Sequence, residues 1–476
     1  MTRRLRIAAA ACALAGVAVA ALPDAALAHG LVGRQDLPIP RWLFAWAAAV
    51  VLVISFVALA VLWPKPRLEQ APERRVLRVP AVLEVVCGVL GIAAFGLVVY
   101  TGFAGTQAPT ANLTPTVVYV IFWVGFPFLS ALFGDVFAAF NPWRALARGV
   151  SWAAGRASGG RLPAPMAYPT WLGRWPAAFG ILAFAWVELV YANRDDPSIL
   201  ATLALLYAAT QLIGMSVYGI DTWSRRADAF AVYFNLFSKL APLHWRERTL
   251  YRRAPLSGVP HLDLVPGTVA LLCVMIGTTS FDGLSQGALW TVTNGVATTL
   301  QPRFVNLGFA QETALEITFT IGLLFMVCFV GGLYRAGIAG MGSIGGRHDQ
   351  GELARRFAHS LIPIALAYVV AHYCSLLLYQ GQAMASLASD PLGDGSDIFG
   401  TATATIDYGI ITATGIWYVQ VAALVLGHAA GLTLAHDRAL TVYRRVRDAT
   451  RSQYWMLAIM VGFTSLGLWL LSASAQ

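Results

Sequence analysis

Residues 357–382 read FAHSLIPIALAYVVAHYCSLLLYQGQ and indicate the fold class of this chain. The segment is apolar and long enough to cross a bilayer as a helix. Five of its polar residues nevertheless follow one another at intervals of four, three, four and three: Tyr368, His372, Ser375, Tyr379 and Gln382. This spacing places them on one face of a helix. Because polar side chains are costly against lipid, we expect this face to point into a helix bundle or a water-filled cavity.

The composition of the whole chain agrees with a membrane protein. Of its 476 residues, 58% are hydrophobic and 12% are charged, and the mean hydropathy is +0.64. These values predict an all-α, polytopic bundle of transmembrane helices with the lipid bilayer as its main partner. The net charge of +9 comes from basic residues spread over short loops, so no nucleic-acid partner is expected.

The amino terminus has the features of a secretory signal peptide. Three arginines, Arg3, Arg4 and Arg6, precede an apolar run that ends in Ala26-Leu27-Ala28, the small-x-small pattern of a cleavage site. We therefore predict a signal peptide over residues 1–28 and a single integral membrane domain over residues 29–476.

Ten transmembrane spans are predicted after the signal, because ten stretches are apolar and long enough. They cover residues 42–63, 79–102, 115–140, 175–192, 198–220, 264–286, 313–334, 357–382, 411–434 and 454–473. With this count, nearly all Lys and Arg residues of the mature chain fall in loops on one side, as expected of cytoplasmic loops. Both mature termini would then be extracytoplasmic at the cell membrane.

A short internal similarity is visible. The segment Gly134-Asp135-Val136-Phe137-Ala138 is followed 93 residues later by Ala227-Asp228-Ala229-Phe230-Ala231, and an asparagine follows each copy. Two predicted spans separate the copies, as a duplicated two-helix unit would require. Five positions are also compatible with a chance match.

Four ionisable residues are predicted to lie at one depth. Counting about 1.5 Å per residue along each helix, Glu188, Asp282, Glu316 and His372 all fall in the outer third of the membrane. Three carboxylates and an imidazole suit a divalent metal such as zinc, or a proton relay. The candidate catalytic residues are Asp282, Glu316 and Glu188, and the candidate metal ligands are His372, Glu316 and Asp282. The alternative is that each residue only bonds to a neighbouring helix.

Secondary candidates lie outside this layer. Asp135 and His428 are predicted nearer the inner surface, where they could pair with each other, and His359 lies at that surface. Asp282, Glu316 and His372 are expected to line one cavity that opens outward, with Glu188 and Tyr379 at its wall. Residues 383–410 contain four aspartates and several glycines, which predict a solvated lid that could attract cations or simply provide solubility.

Several stretches together resemble one family. They are HGLVGRQDLPIPRWLF (29–44), FGDVFAAFNPWRALAR (133–148), FAHSLIPIALAYVVAHY (357–373), GHAAGLTLAHDRAL (427–440) and SQYWMLAIMVGFTSLGLWLLS (452–472). With these stretches the chain resembles the actinobacterial multi-pass proteins known as membrane-bound fenitrothion hydrolases. The resemblance covers nearly all of the mature chain. It implies hydrolysis of organophosphate triesters at the cell membrane, with a second membrane subunit as a further partner, but it assigns no catalytic residue.

Two classes of function follow from these observations. An enzyme would use a metal in the polar layer to polarise the phosphoryl oxygen and supply hydroxide. A transporter or membrane assembly subunit would use the same layer to pass a metal ion, a proton or a small solute, and the internal similarity favours this class. The sequence contains none of the common motifs of soluble hydrolases, such as H-E-x-x-H or G-x-S-x-G.

Overall fold

A computed structural model describes residues 41–160, 163–291, 295–346 and 348–473. The protein is predominantly helical, with 71% helix and 3% strand, which agrees with an all-α membrane bundle. The predicted signal peptide lies outside the described residues. Nine of the ten predicted spans each coincide with one helix at nearly the predicted place.

The first half of the described chain contains nine helices and three strands. They are α1 (Arg41–Leu62), β1 (Arg74–Arg78), α2 (Ala81–Ala104), α3 (Leu113–Phe133, π-helical over Thr116–Gly125), α4 (Val136–Phe140), α5 (Pro142–Ala157), α6 (Trp175–Leu189), α7 (Pro197–Tyr218), α8 (Ile220–Arg226), α9 (Ala229–Ser238), β2 (Leu243–Arg246) and β3 (Thr249–Arg252).

The second half is helical in every element that the structure describes. Its helices are α10 (Thr268–Ser285), α11 (Ala288–Thr291), α12 (Val296–Asn306), α13 (Gln311–Gly342), α14 (Gln350–Phe357), α15 (Leu361–Gln380), α16 (Met384–Ser389), α17 (Ala413–Val442) and α18 (Val446–Ala473). Short 3₁₀ turns, Ala358–Ser360 and Gly381–Ala383, join α14, α15 and α16 into one continuous rod.

Seven helical segments in the described ranges are long and apolar enough to cross a membrane. They are α2, α3, α7, α10, α13, the rod from α14 to α16, and α17. Three shorter apolar stretches, in α1, α6 and α9, also occur. The count of ten spans and the side on which each terminus lies stay predictions.

Helix α10 is the centre of the bundle. Of its 18 residues, 83% are buried within the protein, compared with 61% of an apolar 18-residue stretch of the rod that contains residues 357–382. It packs against α6, α13, α15 and α18. A helix that is apolar all round and buried on all sides belongs to the interior of a large helical protein. Within the polar stripe of α15, His372 faces α10, where it contacts Asp282.

The third predicted span is interrupted, which corrects the prediction of one helix over residues 115–140. Helix α3 ends at Gly134, whose φ of 90° favours glycine. Asp135 then caps a new short helix, α4, by accepting a hydrogen bond from the Ala138 amide. Asp135 consequently lies at a helix start instead of inside a membrane span.

The two similar segments are bonded to each other. Asp135 and Asp228 occupy the same position in the two copies, and each caps the short helix that follows it. Asn235 Nδ2 donates to Asp135 Oδ2 at 2.7 Å, and Asn141 Nδ2 donates to Asp228 Oδ2 at 3.1 Å. The asparagine after each copy thus bonds to the aspartate of the other copy. This reciprocal arrangement favours a duplicated origin over a chance match.

A three-stranded antiparallel sheet, in the order β1-β3-β2, was not predicted. Strand β1 pairs with β3 from Arg74 opposite Arg252 to Arg78 opposite Thr249. Strands β2 and β3 form a hairpin whose two turn residues, Glu247 and Arg248, have φ of 48° and 63°. The two loops that meet in this sheet are both predicted to lie on the cytoplasmic side.

Glycine on α2 permits a close helix contact, which predicts opposite effects for two substitutions. A Cβ on Gly91 would lie 1.9 Å from the Phe140 carbonyl oxygen, whereas a Cβ on Gly96 would meet nothing within 4 Å. We expect Gly91→Ala to destabilise the protein by about 1–3 kcal/mol because α2 and α4 must separate. Gly96→Ala is the matched control and should be neutral or stabilising, by up to about 1 kcal/mol. Thermal unfolding in detergent measures both, and equal melting temperatures would contradict the packing described.

Candidate functional site

The structure brings Asp282 and His372 into contact at the centre of the bundle. Asp282 lies in the last turn of α10, and His372 lies near the middle of α15. His372 Nε2 is 2.7 Å from Asp282 Oδ2, and the Tyr373 hydroxyl donates to the same oxygen at 2.9 Å. Only 12% of the Asp282 side chain and 18% of the His372 side chain are exposed. A carboxylate so enclosed requires such partners.

This hydrogen bond orients the imidazole ring. Because a carboxylate accepts, Nε2 carries the proton and Nδ1 of the neutral ring keeps a free lone pair. Nδ1 faces Gly283, since a Cβ on that glycine would lie 3.8 Å from it. The absence of a side chain at position 283 leaves space beside the lone pair.

A small cavity, which we call the outer cavity, fills this space. It is lined by Thr279, Ser280, Gly283, Tyr368, Ala371, His372, Leu424 and Gly467. The Ser280 hydroxyl is buried and has no hydrogen-bond partner among the described residues. Water occupies a cavity only where polar groups can bond to it. The imidazole and the hydroxyl provide such groups here.

Glu188 approaches the same pair from α6. Its carboxylate is close enough to Asp282 for the two charges to interact, and its Oε2 atom is buried without a hydrogen-bond partner in the described ranges. Two carboxylates near each other in a protein interior favour a proton or a cation beside them. Tyr119 and Tyr233 also lie within the electrostatic reach of Glu188.

Glu316 bonds to a backbone amide outside the pair of Asp282 and His372, although it was predicted at the same depth. Its Oε1 atom accepts a hydrogen bond of 3.1 Å from the Ala192 amide in the loop after α6. Within the described part of the chain, no group of three or more His, Cys, Asp or Glu residues could hold a metal ion. Metal binding by His372, Glu316 and Asp282 stays a prediction.

The predicted pairing of Asp135 with His428 is wrong. Asp135 is bonded to Asn235 and to the Ala138 amide. His428 is fully buried on α17, and its Nδ1 lies 2.8 Å from the Leu424 carbonyl oxygen of the same helix. The two side chains were placed at similar depths by counting residues, but each bonds to other groups of the protein.

His359 and Tyr379 lie at opposite ends of α15. His359 is buried in the 3₁₀ turn before α15, with Nδ1 2.9 Å from the Arg356 carbonyl oxygen. The Tyr379 hydroxyl donates to the Ile411 carbonyl at 2.9 Å, and Gln382 exchanges hydrogen bonds with the backbone of Asp407. Tyr379 and Gln382 therefore fasten the loop of residues 383–410 to the end of α15.

The aspartates of that loop bond mainly within the loop. Asp397 accepts from the Ser389 hydroxyl and from the Ala402 amide, and these hydrogen bonds lower the pKa of its carboxyl. Asp390 accepts from the amides of Asp394 and Gly395. The carboxylates thus hold the shape of the loop, which is sufficient reason for their presence.

Two residues of the site were not singled out from the sequence. Tyr373 follows His372 directly and lies off the stripe defined by intervals of three and four, yet it bonds to Asp282. Ser280 lies in the hydroxyl-rich segment before Asp282. Its position one turn from Gly283 on α10 is the signal that could have identified it.

No protein-family model, no curated protein and no solved structure matches this chain.

Proposed function

We propose that the protein is a membrane-embedded hydrolase of neutral phosphotriesters, with His372 as general base and Asp282 as the residue that orients it. The observation that supports this proposal is the buried contact between Asp282 and His372, with the free ring nitrogen facing a cavity. The class of substrate is taken from the sequence resemblance.

The proposed reaction needs only one proton transfer from water. A water in the outer cavity gives a proton to His372 Nδ1 while its oxygen attacks phosphorus. The bond from phosphorus to the aryl oxygen breaks, and the aryl oxide leaves with the electron pair. Asp282 stabilises the imidazolium that forms, and Tyr373 holds the carboxylate in place.

A site inside the membrane suits this substrate class. An uncharged aryl triester is apolar and dissolves in the hydrocarbon of a bilayer, whereas its two products are anions that return to water. The enclosed pair on α10 and α15 also excludes bulk water, which strengthens the interaction of Asp282 with a charged imidazole.

A divalent metal and a transport role are the other proposals from the sequence. A metal would activate the attacking water in place of a free general base, and chelation would then abolish turnover. A transporter would move a solute past the same residues, and the reciprocal pairing of the two similar segments favours that class.

Purified protein in detergent tests these proposals. We expect turnover of a nitrophenyl phosphotriester above the spontaneous rate, measured together with elemental analysis and with the effect of a chelator. The variant that removes the proposed base is His372→Ala. Its matched control is His261→Ala, because His261 is an exposed loop histidine. Wild-type protein that binds no phosphotriester and shows no turnover, with or without added divalent metals, would contradict the proposed hydrolase. Solute flux in liposomes would then support the transporter.

A further inference from the structure

A second cavity, which we call the inner cavity, lies at the interface of α10, α13, α15, α17 and α18. It is lined by Ile276, Val330, Leu333, Tyr334, Leu361, Ile364, His428, Met456, Ile459, Met460 and Phe463. His428 is a histidine in an otherwise largely apolar wall, and its side chain is completely buried.

His428 offers one free nitrogen to this cavity. Its Nδ1 lies 2.8 Å from the Leu424 carbonyl oxygen, so Nδ1 carries the proton. Nε2 is then a proton acceptor, and it has no hydrogen-bond partner among the residues described. A buried, unsatisfied acceptor beside a cavity indicates a place for a water or another donor.

Tyr368 stands between the two cavities. It lines the outer cavity, and the centre of its ring is 6.2 Å from that of His428. Its hydroxyl donates to the Phe463 carbonyl oxygen at 3.2 Å, and its ring stacks on Phe463 with the centres 5.3 Å apart. A Cβ on Gly467 would lie 2.6 Å from this hydroxyl, so only glycine at that position permits the observed placement.

The groups on both sides of Tyr368 are able to exchange protons. Ser280 lines the outer cavity and has an unpartnered hydroxyl, and His428 lines the inner cavity and has an unpartnered nitrogen, among the described residues. Eight residues beyond His428 on the same helix, His436 is also buried, and its Nδ1 lies 3.2 Å from Gln453 Nε2. Residues eight apart share a helix face, so α17 carries these histidines in one row.

We propose that Tyr368 passes protons between water in the outer cavity and His428 in the inner cavity. A hydronium ion in the outer cavity gives a proton to the Tyr368 oxygen as the hydroxyl releases its own proton toward water beside His428. His428 Nε2 then accepts that proton and becomes an imidazolium, and it releases the proton again from Nε2. No electrons move, and one proton is transferred from one cavity to the other.

The stacked rings of Tyr368 and Phe463 close the passage in the present structure. Transfer therefore requires the Tyr368 hydroxyl to leave the Phe463 carbonyl, which makes this hydrogen bond the gate. The inference does not depend on phosphotriester hydrolysis, because it concerns the transfer of protons without a substrate.

Liposomes that contain the full-length protein and an enclosed pH-sensitive dye test this inference. A potassium diffusion potential drives protons inward, and we expect a flux above that of empty liposomes. Tyr368→Phe keeps the ring but removes the hydroxyl, and His428→Ala removes the acceptor. Each should lower the flux by about a hundredfold or more, the smaller end of the effect of losing a proton-transfer group.

Two further variants make the result decisive. His261→Ala changes an exposed histidine and should retain the wild-type flux. Gly467→Ala should displace the Tyr368 hydroxyl from the Phe463 carbonyl and therefore raise the flux, although it changes no titratable group. Wild-type flux equal to that of empty liposomes, or folded Tyr368→Phe and His428→Ala variants with unchanged flux, would overturn the proposal.

Discussion

Asp282→Asn is expected to slow phosphotriester hydrolysis by about 10²–10⁴-fold, the range over which general bases and the carboxylates that orient them act. The amide no longer stabilises an imidazolium at His372. It also presents an NH₂ group where Oδ2 now accepts from both His372 and Tyr373. His372→Ala should cause a loss of similar size, because it removes the base itself.

Variants that remove different contacts of Asp282 separate an effect on turnover from an effect on folding. Tyr373→Phe removes one of the two hydrogen bonds to Asp282 Oδ2 and leaves the contact with His372. We expect a loss of about tenfold, the equivalent of one hydrogen bond to a charged group. The control Asp195→Asn changes an exposed loop aspartate. Initial rates and melting temperatures are measured for each variant in detergent. An Asp282→Asn protein with wild-type turnover would exclude the assigned roles.

Asp228→Ala is expected to cost about 3–5 kcal/mol of stability, the cost of breaking a buried hydrogen-bond network with several donors. The Asp228 carboxylate is fully buried and accepts four hydrogen bonds. Their donors are Asn141 at 3.1 Å, the Trp143 indole at 2.6 Å, the Tyr207 hydroxyl at 2.8 Å and the Ala231 amide at 3.1 Å. Truncation leaves all four donors unsatisfied in a dry interior.

The equivalent residue of the other similar segment is the matched control. Asp135 caps its helix in the same way but is only half-buried and accepts from Asn235 and the Ala138 amide alone. Asp135→Ala should therefore cost clearly less, about 1–2 kcal/mol. Melting temperatures and folded yield in detergent measure the difference. If Asp135→Ala proved the more damaging of the two, the role assigned to the buried network around Asp228 would be wrong.

The predominantly helical fold could be predicted from the sequence. A long apolar segment in a bilayer forms a helix, because each of its backbone N–H and C=O groups then has a hydrogen-bond partner within the same helix. Nine of the ten predicted segments each coincide with one helix for this reason. The exception, over residues 115–140, came from reading Gly134 and Asp135 as part of a continuous run instead of as a stop and a cap.

The candidate site could be predicted only in part. Asp282 and His372 were grouped because residue counting gives the depth of each side chain, and depth is set by the regular rise of a helix. Glu316 shares that depth but bonds to the Ala192 amide in the loop after α6. Depth says nothing about the direction in which a side chain points.

Direction depends on how the helices are rotated and packed against one another, and only the tertiary structure decides it. The sequence by itself determined the helical class, the places of the apolar segments and the polar face of α15. The tertiary structure determined that α10 is the central helix, that Tyr373 joins Asp282 and that Asp135 pairs with Asn235. These contacts join residues about 90 to 100 positions apart. Local periodicity cannot encode such pairings, because they result from close packing between many helices at once.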